Sequence, residues 1–241
     1  LESWQTGNAI PAVLDMAFGP NATICGQSVC ATTVAEAGPE PSPINKNRFI
    51  SFEPPTGMTA SAAIRVRLVS LQRPDPPNSP SNPAPDFSGF EGEIRWVGPP
   101  QGVPVEHGSS NMLTAATLQC TPHYQDWNGV GLIHVTGREI VPSSEYEVRM
   151  IREDDSCGST LLTVITGRWG DVEPPYGLAS AVDLAAVVDL FKDASSDLKF
   201  QGILNGDMVD LAMDVTMQDV WLAVDAVKGF AFPFAGPSSC P

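Results

Sequence analysis

Ile64-Arg65-Val66-Arg67-Leu68 alternates aliphatic side chains with arginines, and this period of two decides the fold class. Successive side chains of a strand point to opposite faces, so the stretch carries one dry face and one wet one. Tyr146, Val148 and Met150 alternate with Glu145, Glu147 and Arg149 in the same way. Working outward, further strands are expected over 48–52, 93–97, 112–120, 131–136 and 160–166, separated by clusters of Gly, Pro, Asn or Ser. Seven strands with no helix between them predict a mainly β fold, an antiparallel sandwich of fibronectin-like or immunoglobulin-like type. The Pro-rich stretch 73–92 has no apolar pattern and is expected to be a long surface loop available for contacts.

The totals agree with a strand-and-turn protein. Of 241 residues, 42% are hydrophobic and 17% charged, with 23 Pro and 21 Gly. That length accommodates two domains. Residues 1–44 read as an arm or linker, 45–168 as the sandwich, and 169–241 as a small helical module. The formal charge is −15, and from Asp171 onward eleven acids face three lysines. Such a surface repels nucleic-acid phosphates and anionic lipid heads, so neither is an expected partner, and no apolar run is long enough for membrane insertion. Leu1-Glu2-Ser3-Trp4 lacks an initiator Met and a signal-peptide pattern, and reads as the start of a processed or excised product.

After Trp169-Gly170-Asp171 the period becomes helical. Leu184, Val187, Val188 and Phe191 form one stripe, and Val220, Ala223, Val224 and Val227 form another. A shift of 36 residues relates the two stripes; it also places Asp171 on Asp207, Asp183 on Asp219, Asp189 on Asp225 and Lys192 on Lys228. The tail is therefore an internal duplication of an acidic loop followed by an amphipathic helix.

A duplicated acidic loop and helix in this position resembles a dockerin type I module, whose loops resemble the EF-hand. From about Asn45 to Pro241 the chain is similar to a group of uncharacterised secreted bacterial proteins that join a sandwich to a dockerin-like tail. The motifs carrying the resemblance are Asn47-Arg48-Phe49-Ile50-Ser51-Phe52, Ala115-Ala116-Thr117-Leu118-Gln119-Cys120, Trp169-Gly170-Asp171 and the ending Phe232-Pro233-Phe234 with Cys240-Pro241. The resemblance implies architecture more than activity. It brings in calcium as the cofactor to weigh, with Asp171, Glu173, Asp183, Asp207 and Asp219 as the oxygen donors. Both loops depart from the EF-hand pattern. Counting from Asp171, Pro175 and Tyr176 stand where a ligand and the turn glycine belong; counting from Asp207, Val209 and Leu211 replace ligands; and Asp183 and Asp219 each arrive one residue late. The favoured reading makes these acids helix caps or first-turn acids, with weak calcium binding as the alternative.

No Gly-x-Ser-x-Gly elbow is present, and Gly26-Gln27-Ser28-Val29-Cys30 lacks the second glycine. The histidines are His107, His123 and His134. Cys120, His123 and His134 make a weak transition-metal set, and His134, between Ile133 and Val135, is expected to face solvent. Trp96 and Trp127 are expected in the core; lining a sugar-binding surface with His123 and Tyr124 is their alternative role. Asp126, Glu139 and His123 are the residues that a hydrolase of extracellular polymers would use first.

Five cysteines without a zinc-type pair point to disulfides and an oxidising compartment, hence to an extracellular or cell-surface location. Cys120 and Cys157 lie in the strand region and would cross-link it, while Cys25 and Cys30 would close a small loop. Cys240 is then left for another chain or an unusual pairing with the arm. Asn21-Ala22-Thr23 is a glycosylation sequon. Ala9, Ile10, Val13, Leu14 and Phe18 form an apolar segment in the arm, and Phe230, Phe232 and Phe234 form another near the end. The Phe segment is expected to dock on the helical stripes of its own module or on a neighbouring subunit, and the arm on the sheet of the next molecule. The leading expectation is a non-catalytic structural subunit that self-associates into a surface filament. A module binding carbohydrate or a partner protein is the alternative, with a hydrolase component third.

Overall fold

The computed structural model describes residues 49–54, 61–71, 86–104, 110, 112–154, 159, 161–194, 202–204 and 214–241, together with the backbone of 23–24, 27–28 and 40–41. The arm residues Ala9, Ile10, Val13, Leu14 and Phe18, the sequon residue Asn21, and Cys25, Cys30, His107, Cys157 and Asp207 lie outside the described residues.

The strands are β1 (Thr23–Ile24), β2 (Gln27–Ser28), β3 (Glu40–Pro41), β4 (Ile50–Glu53), β5 (Ala62–Leu71), β6 (Ile94–Val97), β7 (Gln101–Pro104), β8 (Met112–Gln119), β9 (Ile133–Thr136), β10 (Ser144–Arg152) and β11 (Leu162–Ile165). β1 and β2 form a separate hairpin. The others join one sheet in the order β11-β10-β5-β6-β8-β9-β4-β3, with β7 also on β8. β6 and β7 lie end to end along one edge of β8, interrupted at Gly98-Pro99-Pro100, where Pro nitrogens cannot donate to a ladder. The sheet is mixed and not antiparallel throughout, because β8 and β9 run parallel, with Ala115 opposite His134. It curls into a nearly barrel-like body: Ile64, Val66 and Leu68 from β5, Tyr146, Val148 and Met150 from β10, and Phe52, Ile133 and Val135 from the far end share one core. Tyr146 ties the β9–β10 corner, its hydroxyl accepting from Val141 N at 2.8 Å. The 73–92 stretch is not only surface: Phe87, ahead of the short 3-10 turn Ser88–Phe90, is buried in this core.

Two helices follow, α1 (Ala181–Phe191) and α2 (Met217–Val227), and their bounds coincide under the 36-residue shift read from the sequence. Ser180 and Thr216 are the N-caps, each in a capping box with Asp183 or Asp219 three residues on. The C-termini also match. Asp193 and Gly229 take left-handed φ of 57° and 80°. Ala194 N and Phe230 N then reach back to Asp189 O and Asp225 O, closing Schellman turns.

The buried stripes differ from those expected. α1 buries Asp183, Val187 and Leu190 and leaves Phe191 exposed; α2 buries Asp219, Ala223 and Ala226. Each helix is rotated so that its acid faces inward, toward backbone N–H groups that need an acceptor. The helices then cover the outer face of β7 and β8. Val187, Leu190 and Ala223 pack with Phe49, Val103, Ala115, Val172, Ile203, Leu204 and Val215 in a second core. Ala115 belongs to this core and Ala116 to the first, as alternate positions on one strand require.

Trp169-Gly170-Asp171 joins body to helices. Trp169 is buried in the first core beside Ala226 of α2. Gly170 has φ of 78°, and a Cβ there would stand 2.3 Å from Ala226 Cβ, so only glycine admits this approach.

Candidate functional site

The duplicated acids occupy the interior. Asp183 is fully buried, and its Oδ1 accepts from Val172 N at 2.8 Å and Glu173 N at 2.9 Å. Its Oδ2 accepts from Ser180 N at 2.7 Å and donation from Ser180 Oγ at 2.8 Å. Asp219, equally buried, receives Leu204 N at 2.7 Å on Oδ1, and Thr216 N and Oγ1 at 2.8 Å on Oδ2. Each carboxylate therefore caps its helix and holds an incoming loop. The loops arrive by different routes: shifting Val172 by 36 residues would select Met208, whereas Asp219 takes Leu204.

Of the expected calcium donors, Asp171, Glu173 and Asp183 come together around one turn, and Asp219 belongs to the other repeat. The oxygens of Asp183 and Asp219 face N–H and O–H donors, the arrangement of first-turn acids. Among the described residues no group of three or more His, Cys, Asp or Glu is arranged to hold a metal ion.

Asp171 is buried, with Oδ2 accepting from Gly177 N at 2.6 Å. Burial pushes its carboxyl above the ordinary range, opposed by the Gly177 hydrogen bond and reinforced by the charge of Asp183. A raised folded-state pKa favours the protonated acid. The stabilisation is then fully present below the unfolded Asp value of about 3.9 and is lost as pH rises through the folded value. Asp171→Asn keeps an acceptor for Gly177 and removes the charge. It is expected to melt higher than the natural chain at pH 7, the gap closing toward pH 3. Thermal melts of both proteins across this range check it; a gap that widens on acidification would reverse the sign.

The remaining sequence candidates do not converge. Cys120 is bonded to Cys240, so it is neither paired with Cys157 nor a metal ligand. The strand spacing hid this, because Cys120 closes β8 at the place where the terminal segment returns. His134 points away from the first core, as its alternation requires, yet it is buried and not solvated: the helical layer covers that face. Its Nδ1 lies 2.7 Å from Ser51 Oγ and its ring 5.7 Å from Phe49. His123 Nε2 lies 3.0 Å from Gln125 Oε1, and its ring meets the edge of Trp127. Trp127 is in the core as expected and donates to Ala62 O, whereas Trp96 is not: it shares the outer face of β6 with exposed Ile94 and is half-buried. Asp126 Oδ1 accepts from Asn128 N in its own turn, and Glu139 pairs with Arg138.

The terminal segment is anchored to the β body. Phe232 is fully buried in the first core, edge-on to Phe87, Trp169 and Phe234. It docks on the body and not on the exposed helical stripes, while Phe230 stays exposed and Phe234 half-buried. Gly236 lies against the Phe87 ring, with no room for a Cβ. Buried Arg95, paired with Glu93, donates to Ser238 O, and Arg138 donates to Ser238 Oγ.

What sequence reasoning missed is a groove along the 165–179 segment, which meets the helices only at Ala226 and Val227 of α2. Two cavities, of about 470 and 280 Å³, meet at Ser143 and Arg168, which line both. No helix among the described residues is long and apolar enough to cross a membrane. No family model, no curated protein and no solved structure matches the chain.

Proposed function

We propose that the chain is a non-catalytic extracellular structural subunit that self-associates, with its buried polar chemistry devoted to cohesion. The observation carrying this reading is the commitment of Asp183 and Asp219 to capping and loop-holding hydrogen bonds. The Cys120–Cys240 bond supports an oxidising, extracellular setting. The Tyr146 corner supports the immunoglobulin-like sandwich, and the matched capping boxes support descent of the tail from a dockerin-like duplication. The parallel β8–β9 pair departs from the antiparallel scheme.

Because Phe232 is spent inside its own chain, the apolar arm is the element assigned to association. Light scattering and electron microscopy at high concentration test this. The full chain is expected to form oligomers or filaments, and Ile10→Asp with Leu14→Asp to leave monomers. A natural chain that stays monomeric at high concentration would remove the reading.

A further inference from the structure

We infer that the groove along the 165–179 segment receives the apolar arm, Ala9 to Phe18, of a second copy of this chain. The inference rests on the self-association proposed above and names the surface that the arm meets. Four large apolar side chains that stay open to water line the groove. Ile165 and Tyr176, 68% and 51% exposed, belong to the larger lobe, and Leu178 and Phe230, 65% and 47% exposed, to the smaller. The lobes adjoin at Ser143 and Arg168, so the four form one strip. Exposed apolar groups gathered along a depression, rather than scattered singly, mark an interaction surface.

The terminal Phe segment does not cover this strip: Phe232 turns into the first core and leaves Phe230 on the groove wall. The apolar segment that is left is the arm. Its apolar residues flank one acid, with Ile10, Val13 and Leu14 before Asp15, and Met16 and Phe18 after it. The groove has the complementary order, two apolar lobes on either side of Arg168, with exposed Lys228 on the wall of the smaller lobe.

Charge and reach favour the same occupant. Residues 1–22 hold two acids and no Lys or Arg, so the cations of this groove attract the arm while the net charge of −15 repels it from the surface at large. The acids of the walls, Glu145 and buried Asp171, both belong to the larger lobe, which directs Asp15 toward Lys228. The arm precedes the β1–β2 hairpin, and Ser28 of β2 is twelve positions from Glu40 of β3, the strand that joins the sheet. Twelve positions can span about 40 Å, against a radius of gyration of about 17 Å for a body of this size. Hairpin and arm can therefore stand clear of their own body and enter the groove of a neighbour.

The test replaces Leu14 of the full chain with photoreactive p-benzoylphenylalanine and mixes equal amounts of ordinary and heavy-isotope-labelled protein before irradiation. Mixed-isotope cross-links from position 14 to the segments 161–179 or 226–230 are expected. In light scattering, Leu178→Asp and Phe230→Asp are each expected to weaken association about tenfold, the effect of losing one interface anchor. Trp221→Asp, at an exposed site that lines neither lobe, is expected to leave it unchanged. Circular dichroism establishes that each variant is folded, and the cross-link, read on an unaltered groove, does not depend on them. Oligomers whose cross-links land on another surface overturn this inference and leave self-association standing, as does association that survives both groove variants. Cross-links confined to single-isotope pairs assign the groove to the arm of the same chain and overturn it as well. A chain that stays monomeric at high concentration removes both readings.

Discussion

Asp183→Ala is expected to lower the unfolding free energy by about 3–5 kcal/mol, the range for breaking a buried charged hydrogen-bond network. The carboxylate receives four donors, three of them backbone N–H groups. Alanine leaves Val172 N buried without an acceptor and releases the turn that follows Trp169. It also removes one half of the α1 capping box. Asp183→Asn should recover only part of the loss, because its amide nitrogen cannot accept from Ser180 once its oxygen has taken Val172 and Glu173. Urea denaturation of the three proteins gives the comparison; a loss under about 1 kcal/mol for the alanine variant would mean that the turn is held by other contacts.

Removing the covalent link should cost as much. Cys120 and Cys240 are separated by 120 positions, and closing so long a loop restricts the unfolded chain by about 4–5 kcal/mol in the chain-entropy treatment. The double variant Cys120→Ser with Cys240→Ser is expected to lose about 3–5 kcal/mol, since Phe232 and Arg95 still hold the segment when the link is gone. Non-reducing peptide mapping identifies the pair, and denaturant melts measure the loss. A peptide map joining Cys120 to Cys157 would contradict the pairing directly.

The β body was legible wherever one face is wet. Ile64 to Leu68 and Tyr146 to Met150 face inward as their alternation with charged residues requires, because the opposite face meets water. Legibility failed where a second layer covers the outer face. His134 reads as solvent-facing from its neighbours alone, and only the helical layer beyond Phe49 explains its burial. β7 went unseen because Gly98-Pro99-Pro100 breaks the pattern just ahead of it. In the tail, the 36-residue repeat announced two matching helices, but hydrophobic periodicity misjudged their rotation. A buried aspartate counts as polar in such a pattern, although Asp183 and Asp219 form the inner seam.

The groove was beyond sequence reasoning for a different reason. Its walls come from segments around 70, 143–145, 165–178 and 226–230, and no local pattern joins them. Cysteine pairing failed similarly: nothing in the spacing says that residue 240 returns to the end of β8. The Trp169-Gly170-Asp171 motif, noticed as a signature, acquires separate physical meanings at its three positions: core ring, close helix approach and loop-holding acid.

The link at Cys120 also sets how the molecule would carry a mechanical load. A pull applied at Pro241 passes through Cys240 straight to the end of β8, an interior strand of the sheet. The residues between the two cysteines, both helices included, form a slack ring in parallel with that short path. Tension therefore reaches the most firmly paired part of the body while the helical repeats bear almost none of it.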